Sequence, residues 1–185
     1  MRFIEAIERY SPAGEQERQD ARMMRRYAEI FPDVLSRTNE TAHFTASAWI
    51  VSPDRSRVLM IYHNIYNSWS WTGGHADGQD DPLAVAIKEA REETGLAHIR
   101  PAGEELLSLE ILTVKAHVKR GKYVVPHLHL NLTYLLEADD ADAIHIKPDE
   151  NSGVKWFAPE DALNACTEPE MLPIYRKLIK RSAKR

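Results

Sequence analysis

The segment from Gly74 to Leu96 constrains this chain most, because it predicts a helix with well-defined ends behind a glycine-rich loop. Asp81 is a good N-cap residue, and Pro82 suits the first helical position, where a proline costs no hydrogen bond. Gly95 is the residue type that most often ends a helix in a left-handed conformation. The segment therefore predicts a loop, a helix of about three turns and a tight exit.

Three glutamates lie along one edge of this predicted helix. At about 100° per residue they fall within one sector of roughly 100°, next to a mostly apolar sector; they are Glu89, Glu92 and Glu93. Partly buried carboxylates repel one another unless a cation neutralises them, and Mg²⁺ prefers such oxygen ligands. A glutamate pair taken alone is more often a solvated helix face, so the spacing of the whole segment decides the interpretation.

That spacing resembles the Nudix box, G-x5-E-x7-R-E-U-x-E-E-x-G-U, in which U is a bulky aliphatic residue. The positions that match in register are Gly74, Glu89, Glu92, Glu93, Gly95 and Leu96. The positions that depart from it are Asp80 for the first glutamate, Lys88 for the arginine and Ala90 for the first aliphatic residue. The glutamate core of the box is complete, and the resemblance extends over residues 42–165.

The resemblance implies an α+β fold, with a Nudix-type mixed β-sheet sandwiched between helices. Residues 41–185 are expected to form the hydrolase domain, and residues 1–40 an N-terminal helical extension. The implied reaction is Mg²⁺- or Mn²⁺-dependent cleavage of a phosphoanhydride bond in a nucleoside diphosphate linked to another group. The implied partner is a small nucleotide derivative, and a homodimer stays open because the family often dimerises.

By the same resemblance, the box supplies the site. The implied metal ligands are Glu92 and Glu93 first, then Glu89 and the carbonyl of Gly74. Lys88 stands where the family's arginine orients a glutamate, and a lysine cannot make that planar two-point contact. Glu150 is a candidate general base for the attacking water, and its alternative is an exposed acid in a turn.

An alternating strand supplies candidate substrate contacts. In His127–Leu132, the side chains of His127, His129 and Asn131 share one face, and three leucines share the other. This polar face is expected to recognise substrate, to face solvent or to hold a transition metal. The metal alternative has only two histidine ligands from this strand.

Two further residues near the box are candidate substrate contacts. Trp69 is expected in a loop, where its ring could stack on a base, and His75 follows the first box glycine, near the phosphates. Trp71 is expected in the core. Residues 69–74 are predicted as one short strand, and residues 106–119 and 123–137 as a long hairpin with a turn at 120–122.

The N-terminal residues predict a short helix, a break and a longer amphipathic helix that starts at Ser11-Pro12 and stops at Phe31-Pro32. A net charge of −4 gives no case for binding nucleic acid. A single cysteine, Cys166, and no apolar run of membrane-spanning length lead us to expect a cytoplasmic protein.

Two other functions compete with the hydrolase. An isopentenyl-diphosphate isomerase also uses a Nudix-like scaffold, but it needs a cysteine where this chain has Gly73. A catalytically inactive Nudix-like module for ligand sensing or protein interaction usually loses box glutamates, which are all present here. A hydrolase is therefore the expected function.

Overall fold

Helices cover a mixed sheet in residues 1–119 and 121–184, the part of the chain that this computed structural model describes. The helices are α1 (Arg2–Arg9), α2 (Glu15–Ile30), α3 (Pro82–Thr94), α4 (Pro159–Ala165) and α5 (Leu172–Ser182). The strands are β1 (Ala42–Val51), β2 (Val58–His63), β3 (Ser68–Ser70), β4 (Thr72–His75), β5 (Arg100–Val114), β6 (His117–Lys119), β7 (Lys122–Val124), β8 (His127–Glu137) and β9 (Asn151–Phe157).

The main sheet is built around β1, all ten residues of which are buried. Its principal order is β3-β2-β1-β8-β5, with β4 also paired to β1 and β9 to β2. The β1–β8 pair is parallel and the others are antiparallel, so the sheet is mixed. This arrangement confirms the predicted α+β class.

The two faces of the sheet pack against different helices, because successive side chains of a strand point to opposite sides. Phe44 and Ile50 of β1 join a core that α1, α2 and α3 complete, whereas Trp49 joins a second core with α4 and α5. The second core covers only one end of its face. The other end of this face of the sheet is polar and open.

The N-terminal helices are part of the first core. Phe3 and Met24 have no exposed surface, and the ring of Phe3 lies 5.0 Å from that of Phe44, between centroids. The predicted start of α2 at Ser11-Pro12 is wrong, since the helix begins after Gly14. The carboxylate of Glu17 instead accepts the Ala13 N–H at 2.9 Å and so secures the first turn from within the helix.

Helix α3 has the predicted ends. The carboxylate of Asp81 accepts the Ala84 N–H at 3.0 Å, and Gly95 adopts a left-handed conformation with φ 73°. A side chain at position 95 would also collide with His145, because an added Cβ would lie 2.1 Å from that ring. The residue therefore has both a conformational and a steric reason to be glycine.

Two strand predictions need correction. Residues 69–74 do not form one strand, because the chain breaks at Trp71 between β3 and β4. The hairpin is also divided: β5 and β8 form its base, and β6 and β7 form a separate two-stranded sheet at its tip. Arg120, predicted in the turn, lies outside the described residues. Among the residues described, no helix is long and apolar enough to span a membrane.

Candidate active site

Glu93 is the most buried of the three glutamates on α3. Its side chain points towards β4, where its Oε2 accepts the Gly73 N–H at 2.9 Å, and the residue is 3% exposed. The Asn151 side chain holds the end of the helix by donating to the Glu93 carbonyl at 2.9 Å. The last turn of α3 is therefore attached to both β4 and β9.

Glu89 lies against the backbone of Gly74. A Cβ added at position 74 would lie 2.4 Å from Glu89 Cδ, so only a glycine lets the carboxylate approach this closely. The Glu89 side chain is 13% exposed, and Lys88 Nζ lies 3.1 Å from its Oε1. Lys88 thus contacts a box glutamate through one ammonium group, without the two-point contact of an arginine.

Glu92 and Glu150 share one lysine. Lys147 Nζ lies 3.1 Å from Glu92 Oε2 and 3.0 Å from Glu150 Oε2, and only about a quarter of the lysine side chain is exposed. Lys147 therefore joins the loop before β9 to the exposed edge of α3. It brings Glu150 to the same end of the molecule as the box.

Burial and like charge shift the acidity of these groups. Burial raises the pKa of Glu93 to about 8, against the Gly73 hydrogen bond, with further increases from Glu89 and Glu150. The hydrogen bond from Lys147 lowers the pKa of Glu92. The site therefore holds one carboxyl that stays protonated at neutral pH without a cation, beside one that is ionised.

The donor set suits a hard divalent cation. Carboxylates of Glu89 and Glu93 and the backbone of Gly74 meet at the junction of α3 with β4, and Mg²⁺ binds oxygen ligands of this kind. A bound cation would also favour the ionised form of Glu93, whose burial otherwise opposes ionisation. The lysine contacts of Glu92 show that this end of the helix already attracts positive charge.

The other two departures from the box have structural partners. Asp80 Oδ1 accepts the Arg2 N–H at 2.9 Å, which links the loop before α3 to the start of α1. Ala90 is fully buried in the first core. Asp80 thus contacts α1 and Ala90 packs in the core, and all three box glutamates are present.

A cleft of about 790 Å³ joins the glutamates to the polar end of the sheet. Among its lining residues are Lys147, the carboxylates of Glu89, Glu92, Glu93 and Glu150, and the histidines His43, His75, His127 and His129. The predicted polar face of β8 therefore faces the cleft.

Asn131 also lines the cleft, but its polar atoms bind neighbouring strands. Its Oδ1 accepts hydrogen bonds from Thr45 Oγ1 at 3.0 Å and Ser47 Oγ at 2.8 Å, and its Nδ2 donates to Thr133 Oγ1 at 3.0 Å. The residue is 1% exposed. Asn131 therefore braces the floor of the cleft, and its contact with substrate stays a prediction.

Trp69 does not lie in a loop or among the residues that line the cleft. It is part of β3, and its ring packs edge-on against Tyr62 and Phe157, at 5.5 and 4.9 Å between centroids. Trp71 lines the cleft, although it is mostly buried against Tyr175. Trp71 thus lies in the second core, as expected, and Trp69 packs against the same core.

Several residues that line the cleft or hold its elements in place were not singled out in the sequence. His43 and Thr45 alternate on β1 in the same way as the histidines on β8, and this pattern was the available signal. Lys147 and Asn151 had no local signal, because their roles depend on contacts with α3. Tyr123, at the tip of the hairpin, lines the cleft with 68% of its surface exposed.

The sequence matches the family model of the NUDIX domain over residues 41–180. Among solved structures, the chain is similar to an Ap4A hydrolase of C. elegans, with 22% identity and a TM-score of 0.58 over 77% of this chain and 98% of that one. It is also similar to a NUDIX-family hydrolase of Clostridium perfringens, with 25% identity and a TM-score of 0.53 over 75% of this chain and 96% of that one.

A curated protein of Streptomyces rubellomurinus, a CMP-5'-(N-acetyl-N-hydroxy-3-aminopropyl)phosphonate hydrolase, is 41% identical over 54 residues. That match covers 27% of this chain and 26% of the relative. The chain thus matches about a quarter of the length of this relative, and the match is local.

Proposed function

Because the chain belongs to the NUDIX family, we propose that it is a metal-dependent hydrolase of a phosphoanhydride bond. The substrate would be a nucleoside 5'-phosphate joined through that bond to a second phosphorus group. Mg²⁺ is the proposed cofactor, with Mn²⁺ as its substitute.

The observation that carries this proposal is the burial of the Glu93 carboxyl beside Glu89 at the Gly74 backbone. A buried pair of carboxyl groups destabilises a folded protein unless a cation binds between them. The arrangement is therefore better explained by cation binding than by a contribution to stability. The complete set of box glutamates also argues against an inactive module. We propose Glu89, Glu92, Glu93 and the Gly74 carbonyl as the metal ligands.

Bound there, the divalent ion would neutralise phosphate oxygens and lower the pKa of a water molecule. Glu150 is the proposed general base, since its carboxylate lies 3.0 Å from Lys147 at the mouth of the same site. Lys147, whose Nζ lies 3.1 Å from Glu92 Oε2, would supply a positive charge for the phosphates at the same site. Lys88 would hold Glu89 in place through the contact at 3.1 Å.

The cleft supports a nucleotide substrate. Tyr66 and Tyr123 line it with 39% and 68% of their surfaces exposed, and such rings can stack on a base. The histidine-lined end would receive the second phosphorus group. Relatives whose names specify Ap4A and a CMP-linked phosphonate both act on nucleotides, which supports this substrate class.

A product-release screen tests the proposal. The purified chain, with Mg²⁺ or Mn²⁺, would be given nucleoside triphosphates, nucleotide sugars, dinucleoside polyphosphates and CMP-linked phosphonates. Glu93→Gln removes the buried charge with little change of shape, and Glu160→Gln on the exposed face of α4 is the matched control. We expect hydrolysis of at least one class, lost by about 100-fold or more in Glu93→Gln and unchanged in Glu160→Gln.

Chromatography of the products identifies the bond that is cleaved. A nucleoside monophosphate released only when a divalent metal is present supports the proposal. Turnover that persists at the wild-type level in Glu93→Gln would contradict it. No turnover of any substrate, in a protein that binds neither metal ion, would favour the inactive module.

A further inference from the structure

Four histidines meet at the polar end of the sheet. His43 on β1 is directly opposite His129 on the parallel strand β8, and His75 on β4 is opposite Thr45. The rings of His43, His75 and His129 lie 5.0 Å apart, between centroids, in every pairing, and His127 adjoins two of them at the same distance. Three strands are needed to bring these rings together.

Three of these side chains have the spacing of metal ligands. One ring nitrogen from each of His43, His75 and His129 lies within 4.8 Å of the other two. Within residues 1–119 and 121–184, this is the one group of three histidine, cysteine or acidic residues with such spacing. In a tetrahedral zinc site, ligand nitrogens bonded at about 2.0–2.1 Å from the ion are about 3.3 Å from one another. Side-chain rotations that bring the histidine nitrogens about 1.5 Å closer together would therefore complete such a site.

His43 is held in the orientation that a metal ligand needs. Its Nδ1 lies 2.9 Å from the carbonyl of Asn39, which can only accept, so Nδ1 carries the proton and Nε2 the lone pair. That Nε2 is buried and has no hydrogen-bond partner among the described residues, and His43 is 3% exposed. Metal-binding histidines are commonly oriented by such a hydrogen bond to a backbone carbonyl.

Asn39 is itself fixed by the surrounding loop. Its Oδ1 accepts the N–H groups of Thr41 and Ala42, both at 3.1 Å, and its Nδ2 donates to Asp33 at 2.9 Å. The orientation of the His43 ring therefore depends on an ordered turn before β1. An unpaired, buried lone pair costs free energy in a folded protein, so the arrangement favours a bound ligand.

The hydrogen bonds of His127 fix which nitrogen of His129 holds the proton. His127 Nδ1 lies 2.8 Å from the Val125 carbonyl, which can only accept, so in the neutral ring Nδ1 carries the proton and Nε2 the lone pair. His129 Nε2 lies 3.2 Å from that Nε2 and is therefore the donor of this pair. The lone pair of the neutral His129 ring is then on Nδ1.

We propose that His43, His75 and His129 form a second metal site, which binds a divalent transition-metal ion of the zinc type. Imidazole nitrogens favour such ions, whereas Mg²⁺ favours the oxygen atoms of the glutamates. The same cleft would thus hold two metals of different chemistry. Because the three histidines line the cleft, the coordination position left over by three protein ligands would be open to it.

Cobalt and zinc binding test this site independently of hydrolysis. The metal-stripped protein would be titrated with Co²⁺ and Zn²⁺ in excess Mg²⁺, which keeps the glutamates occupied. We expect one equivalent of Co²⁺ per chain, with the visible absorption of a four-coordinate site, and displacement of that Co²⁺ by Zn²⁺. His75→Gln and His129→Gln should each weaken Zn²⁺ binding at least about tenfold.

Two controls distinguish this site from the glutamates and from the surface. His98→Gln changes a histidine with 85% of its side chain exposed, and Glu93→Gln changes the carboxylate site. Both should bind Co²⁺ as the wild type does, and circular dichroism checks that each variant is folded. His75 is only partly buried, so His75→Gln keeps the test valid if His129→Gln misfolds.

The absence of Co²⁺ and Zn²⁺ binding by the wild type would overturn the second site. Binding that persists in His75→Gln, or that is lost only in Glu93→Gln, would also overturn it. None of these outcomes depends on finding a hydrolysable substrate, so failure of the histidine site and failure of the proposed function can be told apart.

Discussion

Glu93 Oε2 accepts a hydrogen bond of 2.9 Å from the backbone N–H of Gly73, twenty residues earlier in the chain. This contact connects the last turn of α3 to the edge of β4 and buries the carboxyl between them. One N–H donor does not replace the water that an ionised carboxylate loses on burial. Glu93 is therefore a protonated acid at neutral pH until a cation approaches.

The protonation of Glu93 predicts how pH affects the metal-free protein. Its pKa is about 8 in the folded chain, against an ordinary value of 4.5. Its contribution to stability is therefore full below pH 4.5 and is lost progressively as the pH rises to about 8. A glutamine at position 93 does not ionise, so Glu93→Gln should not lose this stability as the pH rises. We therefore expect the variant to melt at a higher temperature than the wild type at pH 9.

Thermal unfolding from pH 5 to 9 with a chelator present measures this effect. Glu160→Gln, on the exposed face of α4, should follow the wild-type curve. Infrared spectra should also show a protonated carboxyl band at pH 7 that is missing in Glu93→Gln. If the melting temperatures of the wild type and Glu93→Gln change with pH in the same way over this range, the raised pKa of Glu93 is contradicted.

Lys147 competes with a metal for the same carboxylates. Its Nζ contacts both Glu92 and Glu150, so an incoming cation must displace it from Glu92 and then bind near its charge. We predict that Lys147→Gln binds Mg²⁺ more tightly by severalfold, although the metal-free variant should be less stable because Glu92 and Glu150 lose their shared cation. Calorimetric titration measures the affinity.

Lys180→Gln provides the matched control for Lys147→Gln. Lys180 is exposed on α5, and the same change of net charge there should leave Mg²⁺ affinity unaltered. Weaker Mg²⁺ binding by Lys147→Gln would mean that the lysine helps to assemble the metal site instead of competing with the ion.

Gly74→Ala should damage the metal site while leaving the protein folded. The added Cβ would lie 2.4 Å from Glu89 Cδ and 2.6 Å from Oε2, and these atoms belong to the end of a flexible side chain. Glu89 can move aside at modest cost, but it then leaves the proposed ligand position. We expect Mg²⁺ affinity and turnover to fall at least about tenfold.

Gly103→Ala is the matched control, because a Cβ at that exposed position of β5 would have no heavy atom within 4 Å. Its metal affinity and turnover should equal those of the wild type. If Gly74→Ala also retains both, Glu89 does not need its close approach to the Gly74 backbone.

The sequence predicted best what is local in the chain. The ends of α3 depend on Asp81, Pro82 and Gly95 and on contacts within a few residues, so the helix and the relative positions of its glutamates could be inferred. The start of α2 was misplaced because Glu17, inside the helix, secures the first turn instead of a residue before it.

The histidine cluster could not be predicted in the same way. His43 and His129 are neighbours only because β1 and β8 pair in parallel with one particular register, although they are 86 positions apart in sequence. A shift of one residue would place either side chain on the other face of the sheet. The chain also breaks at Trp71, between β3 and β4, so the expectation of one strand over residues 69–74 did not reveal that Trp71 and not Trp69 lines the cleft.

The interior ion pair between Glu17 and Arg181 predicts that the N-terminal helices are needed for stability. The two side chains are 2% and 21% exposed, and Arg181 Nη1 lies 2.7 Å from Glu17 Oε1. Burial alone would raise the pKa of Glu17, but the hydrogen bonds from Arg181 and Lys177 hold it at about 2. Arg181→Leu would leave this ionised carboxylate with one cation fewer, at a cost of about 3 kcal/mol.

Chemical denaturation of Arg181→Leu measures that cost, and Arg18→Leu is its control. Arg18 contacts Glu15 at 2.8 Å on the outer face of α2, where more than half of each side chain is exposed, so its loss should change stability little. The pair of variants thus compares an interior and a surface ion pair of the same helix. Equal, small effects would show that α2 is held mainly by apolar contacts such as that of Met24 with the first core.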